Sequence, residues 1–143
     1  MKKIVSVLFF VFLISACFAD DFKFLGIPFG TSSDEVRSVM ESKGWTCSPA
    51  KTDGDLCFTG KTYAGKELDD VQMFFVSDKF KTVMINFKEA SDGYLVLSTL
   101  ADKYNLTKKK KELTYYSINK DSFSLFGNCL VIMCGQYEYH SDL

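Results

Sequence analysis

The stretch Val71-Gln72-Met73-Phe74-Phe75-Val76-Ser77-Asp78-Lys79-Phe80-Lys81-Thr82-Val83-Met84-Ile85-Asn86-Phe87-Lys88 decides the fold. Two runs rich in β-branched and aromatic residues, Val71 to Val76 and Phe80 to Lys88, are separated by the turn formers Ser77-Asp78-Lys79, which reads as a β-hairpin. In the second run Val83, Ile85 and Phe87 share one side. Thr82, Met84, Asn86 and Lys88 share the other. A period of two predicts a sheet with one face packed and one face wet. Such a sheet needs a cover for its apolar side, and the rest of the chain supplies candidates.

Toward the N-terminus, Phe22 to Ile27 reads as a short strand and Pro28-Phe29-Gly30 as a turn. Ser32 with Glu35 three residues later forms a capping box. Val36, Val39 and Met40 then repeat at helical spacing, and Gly44 stands where a glycine ends a helix, so the spacing predicts a helix over 33–43. Trp45-Thr46-Cys47 leads out to a reversal containing Pro49 and Gly54, and Leu56 to Thr59 returns. Tyr63-Ala64-Gly65 is an irregular step.

Toward the C-terminus, Ser91-Asp92 predicts the cap of a second helix over about 92–104, with Leu97, Leu100, Ala101 and Tyr104 on one stripe and Asn105 ending it. Lys108 to Lys111 reads as a charged loop. Thr114 to Asn119, Ser122 to Phe126 and Cys129 to Tyr139 read as strands, separated by the turn dipeptides Lys120-Asp121 and Gly127-Asn128. The expected fold class is α+β: one antiparallel sheet with both helices packed on one face, in two β-α-β-type halves over about 22–88 and 90–139.

The first nineteen residues stand apart. Lys2 and Lys3 precede an apolar run from Ile4 to about Ile14, and small residues follow as far as Ala19. This is the layout of a secretory signal peptide, and the run is short for a membrane span. The expected organisation is a signal over 1–19 and a single domain over 20–143. A cut after Ala19 fits an ordinary signal peptidase. Ile14-Ser15-Ala16-Cys17 also fits a lipobox, with Cys17 lipidated and the protein anchored at the envelope. The ordinary cut is preferred, because a strand starting at Phe22 leaves Cys17 almost no tether. That cut subtracts two lysines from 17 basic residues and leaves 15 against 18 acidic ones, a net charge of −3. No basic footprint for nucleic acid results.

Export implies an oxidising compartment, so Cys47, Cys57, Cys129 and Cys134 are read first as disulfide partners, with three pairings open. Cys47 and Cys57 flank a reversal, which favours a bridge between them. Closing so short a loop stabilises by roughly 2–3 kcal/mol. Cys129 and Cys134 lie five apart in a strand, about 16 Å along it and on opposite faces. Their bridge needs a bulge; free thiols or a crossed pairing are the alternatives.

The decapeptide Ile27-Pro28-Phe29-Gly30-Thr31-Ser32-Ser33-Asp34-Glu35-Val36 resembles the strand–Gly–Thr/Ser–x–x–x–Val start of secreted β-lactamase-inhibitor-protein-like domains, shared by SmpA/OmlA-type outer-membrane assembly lipoproteins. The inhibitor family places a cysteine pair after this helix, near where Cys47 and Cys57 fall. Gly26-Ile27-Pro28, Lys43-Gly44-Trp45 and Tyr63-Ala64-Gly65 are similarly placed in small exported bacterial domains. The resemblance covers residues 22–88 and implies a fold. It does not imply inhibition of a β-lactamase, because a fold hosts many functions.

Catalytic patterns are scarce. There is no Gly-x-Ser-x-Gly, and the one histidine, His140, sits in the tail. The adjacent pairs Asp20-Asp21 and Asp69-Asp70 lack the opposed geometry of acid–base catalysis. Zinc spacing is missing, and no cofactor is implied. Asn105-Leu106-Thr107 is a glycosylation sequon. Tyr115, Tyr116, Tyr137 and Tyr139 on terminal strands suit protein recognition, since tyrosine gives wide contact at low entropy cost. The expected function is a non-enzymatic exported module that recognises a protein or envelope component through an open sheet face. Membrane attachment enters only through a lipidated Cys17. The alternative is a small-molecule or lipid carrier with a pocket between helices and sheet.

Overall fold

The computed structural model describes residues 21–49, 54–108 and 114–135. In order, the elements are β1 (Lys23–Phe24), β2 (Ile27–Pro28), α1 (Ser33–Ser42), β3 (Thr46–Pro49), β4 (Leu56–Thr59), β5 (Leu68–Val76), β6 (Lys79–Phe87), α2 (Ala90–Lys103), β7 (Thr107–Lys108), β8 (Thr114–Tyr116), β9 (Ser122–Phe126) and β10 (Cys129–Met133). The signal segment, Cys17, Tyr137, Tyr139 and His140 lie outside the described residues.

The fold is mixed α+β. A large antiparallel sheet of eight strands runs β3-β4-β5-β6-β10-β9-β8-β7, and β1 with β2 forms a small sheet of its own. Each helix is followed by a four-strand antiparallel meander. The two meanders meet at their last strands, where β6 pairs with β10 through Ile85 opposite Leu130 and Val83 opposite Ile132. Helix α1 contacts β3, β4 and β6, and α2 contacts β6, β9 and β10, so α1 lies on the first half and α2 straddles the β6–β10 seam.

Turn chemistry sets the registers. Ser77 and Asp78 both take positive φ, 50° and 59°. Two left-handed residues in a row make the turn whose twist matches its flanking strands. The loop is therefore two residues long, and Lys79, read from sequence as part of the turn, pairs with Val76. Leu25-Gly26 repeats the device and breaks the single strand expected over 22–27 into the β1–β2 hairpin.

Helix α1 starts as the sequence predicts, with the Ser32 hydroxyl accepting from the Glu35 N–H at 3.4 Å. Helix α2 does not. It begins at Ala90 with Glu89 in the cap position and no side-chain cap bond, so Ser91 and Asp92 lie within its first turn. Asn105 ends it in the left-handed conformation as expected, with φ 53°. The chain then pairs as β7 against β8, where a loop starting at Lys108 is expected. The strand that the sequence predicts over Thr114 to Asn119 is shorter: β8 ends at Tyr116 and gives way to a turn.

One apolar cluster joins these parts. Val36 and Met40 of α1, Val96, Leu97 and Leu100 of α2, and Phe24 and Ile27 beside them bury against Phe58, Val71, Met73, Val83, Ile85, Phe87, Phe123, Leu130 and Ile132 of the sheet. A fully buried leucine such as Leu130 is worth about 2–5 kcal/mol against alanine.

Candidate functional site

The sheet face opposite this core is traced by following residue pairs from strand to strand. One row runs Ser48, Cys57, Gln72, Met84, Val131, Ser124, Thr114. A second runs Phe74, Thr82, Met133, Ser122, Tyr116. A third runs Asp70, Asn86, Cys129, Phe126. None of these side chains is buried, and Phe126 and Met133 are 65% and 43% exposed. Asp70 is the one charged residue in the three rows, although 24% of the chain is charged. Its carboxylate accepts from the Asn86 amide at 2.5 Å.

The sequence-predicted tyrosines are separated by the pleat. Tyr116 belongs to the open face, whereas Tyr115 pairs with buried Phe123 and packs against the core. Tyr115 therefore points away from the open face, on which the sequence places it. The apolar part of the open face comes from Phe74, Met84, Val131 and Met133. The period of two in β6 places Met84 on the wet side, whereas the scarcity of charge on that face is visible only once the strands are paired.

The expected Cys47–Cys57 bridge is not formed, because Cys47 pairs with Phe58 and Cys57 with Ser48. This register puts Cys47 on the core face and Cys57 on the open face. A reversal one residue different in length would have aligned them. Cys129 and Cys134 are also free, on opposite faces as their spacing implies. The Cys129 thiol is pushed up from its ordinary pKa by burial and then by the charge of Asp70, which works against nucleophilic chemistry there.

A cleft lies at one end of the sheet, where β6 starts and β10 ends. It joins residues far apart in sequence: Asp21 and Phe22, Phe29, Lys79 and Lys81, and Asn119 and Asp121. The Asn119 amide donates to the Asp21 carboxylate, tying the first described residue to the β8–β9 turn. Asp121 is buried, and its Oδ1 accepts from the Gly135 N–H at 2.7 Å. Burial, and to a lesser degree the nearby Asp21, raise its carboxyl above the ordinary range, against the lowering effect of the Gly135 and Ser117 bonds. No spacing in the sequence signals this assembly.

Among the described residues no cluster of three or more His, Cys, Asp or Glu could hold a metal ion, and no helix is long and apolar enough to cross a membrane. Comparison with family models, with curated proteins and with solved structures gives no match.

Proposed function

We propose that the chain is an exported, non-enzymatic binding module that recognises another protein through the charge-poor face of its sheet. The observation that carries this reading is the three-row surface, in which Phe74, Met84, Val131, Met133 and Phe126 meet solvent and Asp70 alone is charged. Depletion of charge at the centre of a patch is the compositional mark of an interface core. A contiguous apolar patch on a folded surface marks an interaction site. The hydroxyls and amides around it, Thr82, Ser122, Ser124 and Gln72, suit a polar surround.

The helix-then-meander order of both halves supports a resemblance to inhibitor-protein-like and SmpA/OmlA-type exported domains at the level of architecture. The partner does not follow from that resemblance. The N-terminal layout supports export, with the domain starting at Asp20.

The test uses the chain without residues 1–19 as bait in extract of its native host, beside a Met84→Lys/Val131→Glu variant, whose opposite charges face each other across β6 and β10, and a Tyr94→Lys variant on the exposed side of α2. Surface changes of this kind shift stability by about 0.5 kcal/mol or less. The expected result is one protein held by wild type and by Tyr94→Lys and lost from the double variant, with circular dichroism and Tm unchanged. Equal retention by the double variant, or retention of nothing by wild type, overturns the reading.

A further inference from the structure

The cleft at the end of the sheet is a separate feature from the sheet face, and its reading does not rest on that face. Its volume is about 270 Å³, just below the usual range of ligand pockets and suited to a molecule of amino-acid size. Three kinds of chemistry share it. Phe22 and Phe29 give an aromatic wall, their ring centroids 5.7 Å apart. Two cationic residues, Lys79 and Lys81, and two acidic ones, Asp21 and Asp121, line it as well.

These opposite charges share one space without meeting. Among the described residues the ion pairs are Lys66–Asp92 and Lys88–Glu67, and neither involves the cleft. Asp121 is only 5% exposed, its charge met by the Gly135 N–H and by Ser117, and among the described residues by no cation. A buried charge held by hydrogen bonds alone gains from a counter-ion brought into contact with it. A ligand carrying both signs could satisfy both ends of the gap.

We infer that the cleft binds a small zwitterion of the apolar α-amino acid class. The ligand's ammonium lies toward Asp21 and Asp121, its carboxylate toward Lys79 and Lys81, and its side chain against Phe22 and Phe29. The aromatic wall selects an apolar side chain over a polar one.

The test is an amide-resolved NMR titration of the domain with L-leucine, N-acetyl-L-leucine and leucine methyl ester as probes. The expected result is saturable shifts at Gly30, Asn119 and Gly135 with leucine. Both derivatives, each lacking one charge, bind at least about tenfold more weakly, a difference of about 1.4 kcal/mol. Asp21→Asn and Lys79→Met, both at exposed positions, weaken leucine binding and leave Tm unchanged. Absence of saturable shifts at about 10 mM leucine, far above any specific affinity of interest, overturns the inference. So does equal binding of the three probes, or leucine binding that survives both substitutions.

Discussion

The carboxylate of Asp78 accepts hydrogen bonds from both the backbone N–H and the hydroxyl of Ser33, at 3.2 and 2.5 Å, across 45 residues of sequence. Asp78 sits in the two-residue turn of the β5–β6 hairpin, and Ser33 is the first residue of α1. The hairpin tip therefore supplies an anion to a helix N-terminus, where unpaired N–H groups and the helix dipole favour negative charge. The backbone reinforces the same junction: Gly30 donates to Phe80 O and Phe80 donates to Thr31 O, both at 2.8 Å. Helix and hairpin are thus clamped by hydrogen bonds as well as by the core they share.

This bond makes stability depend on pH in a defined direction. The two Ser33 bonds lower the Asp78 carboxyl below its ordinary value of 3.8. A depressed folded-state pKa means stability that is present above the unfolded pKa and lost as pH falls through the folded one. Asp78→Asn keeps an acceptor and tolerates the left-handed turn but removes the charge. The variant should have a lower Tm than wild type at pH 7, and the gap should close on acidification below the ordinary carboxylate range. A gap that is constant from pH 7 to pH 3 would show that the charge plays no part.

Gly135 is required for a different reason. A Cβ placed there would lie 2.2 Å from the backbone carbon of Lys120 and 2.6 Å from the Asn119 oxygen. Backbone cannot swing aside as a flexible side chain can. Gly135→Ala should cost about 1–3 kcal/mol through forced overpacking. It should also loosen the Gly135–Asp121 bond. Urea unfolding measures this, and an unchanged midpoint would mean that the β8–β9 turn yields freely.

The sheet and helices were legible because their signals are local. The alternation of Val83, Ile85 and Phe87, the Ser32 cap and the Asn105 stop each act over a few residues. What could not be read depends on register between strands. One residue of slip decides whether Cys47 meets Cys57 or Phe58, and whether Tyr115 faces core or water. That slip is set by turn geometry that the sequence leaves open. The cleft is harder still, because Asn119 and Asp21 are 98 residues apart and only the closed fold brings them together.

The cysteine arrangement predicts redox insensitivity. With Cys47 and Cys57 on opposite faces, oxidised and reduced protein should unfold at the same Tm, and alkylation after denaturation without reductant should modify Cys47, Cys57, Cys129 and Cys134 alike. A bridge linking Cys47 to Cys57, found by peptide mapping, would require β3 to shift by one residue against β4.

Cys129 gives a sharper probe of the open face. Desolvation comes first and Asp70 second in raising its thiol pKa. Only the second cause is removed by Asp70→Asn. The rate of alkylation of Cys129 in the folded protein should therefore rise at lower pH in this variant than in wild type, by part of the shift and not all of it. An identical profile would place the Asp70 charge out of reach of the thiol.

Asp121 should show the opposite pH signature from Asp78. Its folded-state carboxyl is raised, chiefly by burial, so the folded protein holds this proton more tightly than the unfolded chain. Stability then falls as pH rises from the ordinary carboxylate range through the raised value, because the buried group must ionise. Asp121→Asn keeps an oxygen for the Gly135 N–H and removes the charge. The variant should match or exceed wild type in Tm at pH 7 and lose that advantage at acid pH, where Asp121 is protonated and the two proteins present neutral side chains. Asp121→Ala, which deletes the acceptor as well, should fall below wild type at both pH values by the cost of an unpaired buried N–H, about 1–3 kcal/mol. If Asp121→Asn instead destabilises at pH 7 and the loss disappears on acidification, the carboxylate is stabilised by a cation in the free protein, and the gap that the cleft offers to a zwitterion is already closed.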